Sequence, residues 1–432
     1  MMFSIRKLFS IDRYHHKSIA KKLARKIFRD RRRAGRSQGF TLIELLISML
    51  ITTVIVSTML TFTVNIMESD RIEQAKSESQ GDVQMALNYI SDDLQEAVYI
   101  YNADTLGANS PNGIKDQLPS FTNSTPVLVF WKRIYYAPTD LLSVGGSTTK
   151  AVGCLEYGTS TTNTAPAPVP PATAAFNATC STTNPPGSGK YTYALVAYYL
   201  IYDSDSTWSR AARVGRWELN DGIRANCQLS DLTKCTEPKP IQKVNITADG
   251  SSFVNYWTVP DAGFKPFASS GGDVETLMKQ WTKTTTAYDG TKPTVLIDFI
   301  DDTPYTSTQD DGIAGNSPAD IAIRANDTSV TPSTNLDCFN PNFGVGGSST
   351  AAAQRVPSTF NAASSNKAET LSSFYACVNS TQTVARVYLR GNGLARLRPN
   401  QLETERKVSS QTNTFLTTGN VRAFGRGKLF FQ

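Results

Sequence analysis

Histidine is almost missing from this chain of 432 residues: the two it has, His15 and His16, are adjacent and close to the start. Beyond them there is no imidazole, which excludes a Ser-His-Asp or Cys-His nucleophile, a histidine-ligated zinc and imidazole acid–base chemistry from the rest of the chain. Carboxylate and Ser-Lys chemistry stay formally open. No C-x-x-C occurs among the six cysteines, Cys154, Cys180, Cys227, Cys235, Cys338 and Cys377, which disfavours a thiolate metal centre. Charge is also missing over residues 40–67, where Glu44 is the only charged side chain, and neither glycine nor proline interrupts residues 40–80.

The charge that is present is unevenly placed. Residues 1–39 hold 13 Lys or Arg against Asp12 and Asp30, a net of +11, so the remainder carries 30 basic and 35 acidic residues, a net of −5. A basic segment ahead of a single apolar span is retained on the cytoplasmic side, so the C-terminal bulk is expected outside. Residues 21–36 could also be read as a nucleic-acid-binding arm, but no folded reader accompanies them and a membrane-length span follows at once. That span, 28 residues from Phe40 through Met67, makes about 42 Å of helix, enough for a hydrocarbon core of about 30 Å. A lone acid inside it costs a few kcal/mol, roughly, at bilayer depth, so Glu44 calls for a partner that neutralises it.

The junction between the two segments reads Gly39-Phe-Thr-Leu-Ile-Glu44. This resembles the type IV pilin and pseudopilin family, in which that string is the prepilin peptidase site. The resemblance implies a cut after Gly39, N-methylation of the new terminal Phe40, and a role for Glu44 in docking the subunit into a filament. It further implies a cytoplasmic leader over 1–39, a membrane and filament-core helix over 40–67, and an extracytoplasmic head over 102–432. The implied partners are the prepilin peptidase, other pilins or pseudopilins, an inner-membrane assembly platform, and membrane lipid before assembly. No nucleic acid or cofactor is implied, and no enzymatic activity. Thr61 stands where many major pilins carry a proline.

Val83, Leu87, Ile90, Leu94 and Val98 recur at spacings of four, three, four and four, one apolar stripe along an amphipathic helix over 68–101. Asp82, Gln84, Asp92, Asp93 and Glu96 are expected on its other faces, and Gly81 is the expected place for a bend. Runs at 127–136, 191–202, 212–219, 253–259, 294–300 and 383–389 are rich in aromatic and β-branched residues and suit an antiparallel sheet. A short helix is expected over 273–283 with Asp273 as N-cap. Residues 158–189 and 331–370 are polar, with few large apolar side chains, and read as surface insertions. The expected fold class is thus α+β and pilin-like, a long N-terminal helix packed on an antiparallel head with long loops.

Within the family, the head resembles PilW-type minor pilins and J-type pseudopilins through Tyr375-Ala-Cys377-Val and Val387-Tyr-Leu-Arg-Gly-Asn-Gly393. Its resemblance extends to the pseudopilins of hormogonium polysaccharide secretion in filamentous cyanobacteria. That implies a subunit supporting filament assembly, gliding and polysaccharide export, held in the inner membrane with its head in the periplasm and then displayed on a surface filament. An even cysteine count outside the cytoplasm points to disulfides; six allow fifteen pairings, of which Cys154–Cys180, Cys227–Cys235 and Cys338–Cys377 are the sequence-local set. Two other readings stay open. A displayed adhesin would offer Trp131, Trp208, Trp217 or Trp257 to sugars, although tryptophans in strands are more often core. Asp298, Asp301, Asp302, Asp310 and Asp311 form a carboxylate cluster that could hold calcium or serve glycoside hydrolysis, with solvated loop acids the simpler account.

Overall fold

A computed structural model describes residues 41–143, 149–154, 182–185, 187–224, 241–243, 254–258, 260–265, 267, 273–290, 292–304, 353–358, 363–399 and 413–426. The chain divides into two compact units, Met1–Ser69 and Asp70–Gln432.

The described part of the first unit is helical throughout. Helix α1 spans Leu42–Gln95, and every side chain from Thr41 to Ser69 is exposed. Among the described residues it is the one helix long and apolar enough to cross a membrane. Most of its hydroxyls are satisfied from within: Thr52 Oγ1 donates to the Ser48 carbonyl at 2.7 Å, Thr53 to Met49 at 2.7 Å, Thr61 to Ser57 at 2.9 Å and Thr63 to Met59 at 2.8 Å. An unsatisfied hydroxyl in hydrocarbon is costly, so these internal bonds let a Ser/Thr-rich segment remain compatible with an apolar environment.

In the second unit α1 turns one stripe inward. Ala75, Ser79, Val83, Ala86, Leu87, Ile90, Asp93 and Leu94 are its buried residues, and the helix runs through Gly81 unbroken. A lone glycine costs about 1 kcal/mol there, which packing of the flanking stripe outweighs. The helix closes at Gln95 and does not continue to 101. Instead β1 (Ala97–Ile100) pairs antiparallel with β2 (Ser124–Tyr136), setting Tyr99 opposite Trp131. Val98 fits the helical spacing, yet A-V-Y-I is better strand than helix, and the free edge of β2 supplies the ladder bonds.

The remaining strands are β3 (Leu141–Ser143), β4 (Thr149–Ala151), β5 (Lys190–Ile201), β6 (Ala212–Asn220), β7 (Ile223–Arg224), β8 (Ile241–Lys243), β9 (Val254–Thr258), β10 (Thr294–Ile300), β11 (Ala353–Val356), β12 (Phe374–Asn379), β13 (Val384–Asn392) and β14 (Leu416–Phe424). Short helices α2 (Ala103–Gly107), α3 (Val274–Lys279) and α4 (Gly393–Leu397) lie between them. The main sheet runs β1-β2-β5-β6-β10-β13-β12-β11, with β14 added on β13; β3–β4 and β7-β9-β8 form two small ribbons. All pairings are antiparallel, so the fold is α+β with a pilin-like long N-terminal helix and an antiparallel head.

Strand β5 is buried on both faces over nearly its whole length. Side chains alternate across a strand. On one face Tyr198 meets α1 through Asp93. On the other, Trp131 of β2 packs edge-on against Phe264, Phe267 and Trp281, with ring centroids 6.0, 4.7 and 5.2 Å away. Helix α3 sits in this second layer, and Asp273 caps it by accepting the Thr276 N–H at 2.9 Å. Beyond the expected strands the head holds β3, β4, β7, β8, β12 and β14 and the short helices α2 and α4, and β11 with a 3₁₀ turn at Lys367–Thr370 occupies part of the expected polar insertion. Most of both insertions lies outside the described residues.

Candidate functional site

Gly39 and Phe40 lie outside the described residues. The helix begins directly after them. Thr41 is non-helical and its carbonyl accepts the N–H groups of Glu44 and Leu45 at 3.0 and 3.1 Å, while its Oγ1 accepts the Glu44 N–H at 3.3 Å. This is N-cap geometry, and Thr41-Leu-Ile-Glu44 has the spacing of a capping box, with the acid three residues after the cap. The Thr-x-x-Glu spacing is legible in the sequence, where Glu44 stands out first as a lone membrane charge and as the docking acid that the family resemblance implies. A carboxylate in the first turn also faces the positive end of the helix dipole. Glu44 itself is exposed, as are Leu42, Ile43, Leu45 and Leu46 beside it.

Within the second unit, three contacts fasten α1 to the head. At its C-terminal end Asp93, expected on a solvent face, is buried. Its carboxylate accepts Lys132 Nζ at 2.9 Å, Arg216 Nε at 2.8 Å and the Tyr198 hydroxyl at 2.7 Å. Glu218 pairs with both Arg216 and Lys132, and Glu96 lies 4.0 Å from Lys132. Burial by itself raises the Asp93 carboxyl, but the Arg216 hydrogen bond, the Lys132 and Arg216 charges and the Tyr198 hydroxyl outweigh it and hold it below the ordinary carboxylate range. The same burial and the adjacent Asp93 push the Tyr198 phenol well up.

Midway along the contact, α1 lies against glycines of β13 and β14. A Cβ on Gly391 would fall 2.7 Å from Ser79 Oγ and 2.9 Å from Val83 Cγ2, and one on Gly419 would fall 2.7 Å from Leu87 Cδ1. Only glycine allows the helix so close. At the N-terminal end Arg396 of α4 pairs with Glu78 and Asp82 of α1, and Asn392 caps α4 by accepting the Leu394 and Ala395 N–H groups. The string Val387–Gly393, read at first only as a family likeness, therefore supplies strand, helix seat and cap in one stretch.

The other candidates separate from one another. Asp301 is wholly buried and its Oδ2 accepts Arg390 Nε and Nη2 at 2.9 and 2.8 Å, next to the single Ile300–Gly391 pair that joins β10 to β13. Its Oδ1 accepts the Thr303 hydroxyl at 2.8 Å. Asp298 accepts the Ser209 N–H and hydroxyl at 2.9 and 2.7 Å. Asp302 is buried, and Asp310 and Asp311 lie outside the described residues. Among the described residues no group of three or more His, Cys, Asp or Glu side chains could hold a metal. Trp131 and Trp217 are core and Trp208 is exposed, while nothing is described for the Trp257 side chain. Cys154 and Cys377 are buried and neither is a free thiol; Cys180, Cys227, Cys235 and Cys338 lie outside the described residues.

Residues 35–60 match the family model described as the prokaryotic N-terminal methylation motif. The match covers the start of α1 and the residues just before it, and leaves the head untouched. No curated protein and no solved structure matches the chain. The chain thus carries a type IV pilin-like methylation motif on an apolar helix suited to membrane anchoring. Such a motif implies processing by prepilin peptidase and assembly with other pilins.

Proposed function

We propose that this chain is a minor, non-catalytic subunit of a type IV pilus-like or secretion-type filament, stored in the inner membrane with its head in the periplasm and released into the filament by cleavage after Gly39. The observation that carries this reading is the methylation-motif match over residues 35–60, set at the start of a helix whose apolar side chains over residues 42–67 are all exposed. The +11 leader favours the orientation. Cleavage removes that leader and creates an amine on Phe40. Glu44 of an incoming subunit, paired with a Phe40 amine, would neutralise both charges where an unpaired one is strongly disfavoured. Packing of the exposed apolar residues 42–67 against other subunits and the assembly platform completes the filament core.

A finer reading places the subunit among PilW-like minor pilins serving gliding and polysaccharide secretion. It rests on the head strings around Cys377 and Gly393, and disulfides in the extracytoplasmic head belong to the same proposal. Scoring filaments, gliding and released polysaccharide in a deletion strain tests it; loss of adhesion alone would favour a displayed adhesin instead. The core reading has a direct test. Gly39→Ala should leave the precursor uncut, and Glu44→Ala should be cut but fail to enter filaments. Normal processing of the first or wild-type assembly of the second would refute the corresponding step.

A further inference from the structure

We infer that α1 carries a hinge at Gly81 that is held straight from outside the helix, by Arg396 of α4 seated on the ring of Phe299. The glycine has no packing reason to be there: it is exposed, and a Cβ built on it would meet nothing within 4 Å. Alanine would fit and would favour the local helix about fivefold. Gly391 and Gly419, in contrast, are required by the close approach of the helix. The hold on α1 also changes at this point. Beyond Gly81 the head buries Val83, Ala86, Leu87, Ile90 and Leu94, whereas ahead of it α1 buries only the small Ala75 and Ser79. So little apolar burial leaves residues 70–80 weakly seated.

Arg396 bridges the weak point. Its guanidinium pairs with Glu78 at 3.2 Å and with Asp82, one acid on each side of the glycine, and its central carbon stands 4.6 Å from the centre of the Phe299 ring. Both acids are partly exposed, and an exposed pair alone contributes little. A planar cation stacked on a ring and shared between two carboxylates is better fixed. The seat is strained. Phe299 has φ +60, in the left-handed region that bulky side chains avoid, where the β6–β10 register shifts between Ile297 and Ile300. A bulge of this kind re-aims a side chain, and here it brings Phe299 against Arg396. The open glycine, the clamp and the strained seat make a helix that is straight while the ion pairs hold and bends at residue 81 when they are broken, releasing residues 70–80 while 83–94 stay seated.

The experiment is amide exchange of the detergent-solubilised full chain, read separately over residues 74–82 and 86–94. Arg396→Met keeps an aliphatic stem on the ring and removes the charge; it is expected to speed exchange over 74–82 about fivefold and to leave 86–94 unchanged. Adding Gly81→Ala should bring the rate over 74–82 back near the wild-type value. Salt at about 1 M should loosen 74–82 in the wild-type chain and have no further effect in Arg396→Met. Phe299→Gly relaxes the left-handed backbone and removes the seat, so it should loosen 74–82 alone, and adding it to Arg396→Met should change little more. Unchanged exchange over 74–82 in Arg396→Met would overturn the inference, as would equal loosening of both stretches, which would mark a general loss of packing. If Gly81→Ala failed to restore protection, the weakness would lie elsewhere than at residue 81 and the hinge would be refuted.

Discussion

Gly391→Ala tests how the head is seated on the helix. The added methyl would sit 2.7 Å from Ser79 Oγ and 2.9 Å from Val83 Cγ2. The serine oxygen can rotate away, but Val83 is β-branched and held to one rotamer in a helix, so Cγ2 is the atom that resists. Overpacking of this kind costs about 1–3 kcal/mol, and alanine recovers about 0.5–1 kcal/mol of that by stiffening the strand relative to glycine. The net expectation is a loss of roughly 1–2 kcal/mol. Val83→Ala alone opens a cavity beneath Gly391 and should cost about 2 kcal/mol. In the double variant the new methyl occupies space the valine gave up, so the two costs should fall short of additivity by about 1 kcal/mol. Urea unfolding of the detergent-solubilised full chain, followed through the fluorescence of buried Trp131 and Trp217, gives all four stabilities. Amide exchange over residues 79–90 reports whether the helix itself has loosened. Additive costs, or a neutral Gly391→Ala, would refute the glycine-seat reasoning.

Asp93→Asn should cost about 2–3 kcal/mol, toward the low end for a broken buried pair because Glu218 still serves Arg216 and Lys132. Since the folded Asp93 carboxyl lies below its ordinary value of 3.8, its stabilisation is complete above about pH 4 and is lost as pH falls through the folded value; the acid limb of a stability–pH curve should be shallower in the variant. Asp301→Asn breaks the buried pair with Arg390 and should cost about 3–5 kcal/mol, whereas excess chelator should leave wild-type stability unchanged; a chelator-induced drop would favour the calcium reading. Thr61→Pro removes one backbone donor and crowds the preceding turn, at a cost of about 3 kcal/mol, so amide exchange around residues 57–61 should rise sharply; unchanged protection would contradict a continuous helix there.

Much of this architecture could be read before the structure, and the parts that could not share a cause. Residues 294–300 and the Asp273 cap are local: strand composition and a capping side chain declare themselves within a few positions, and β10 and α3 formed where expected. Asp93 is different. Nothing in the helix's own spacing shows why an acid should face inward, because its partners Lys132, Tyr198 and Arg216 stand on three different strands and are brought together only by the sheet. Strand β14, L-T-T-G-N-V-R-A-F, reads as a loop because Gly419 and Asn420 weaken its propensity, yet Gly419 is there to admit Leu87 of the helix. At the N-terminus the situation reverses. Gly39, Phe40 and Glu44 stand out by motif, and the structure contributes Thr41, whose capping role became visible only once the helix start was located.

The most direct test of the account is the intact mass of the protein recovered from membranes that contain prepilin peptidase. The expected product begins at Phe40 and carries one methyl group on its terminal nitrogen. A chain that keeps residues 1–39, or one cut at any other bond, would contradict the assignment of Gly39 and Phe40 as the processing site and leave Glu44 without the amine proposed as its partner.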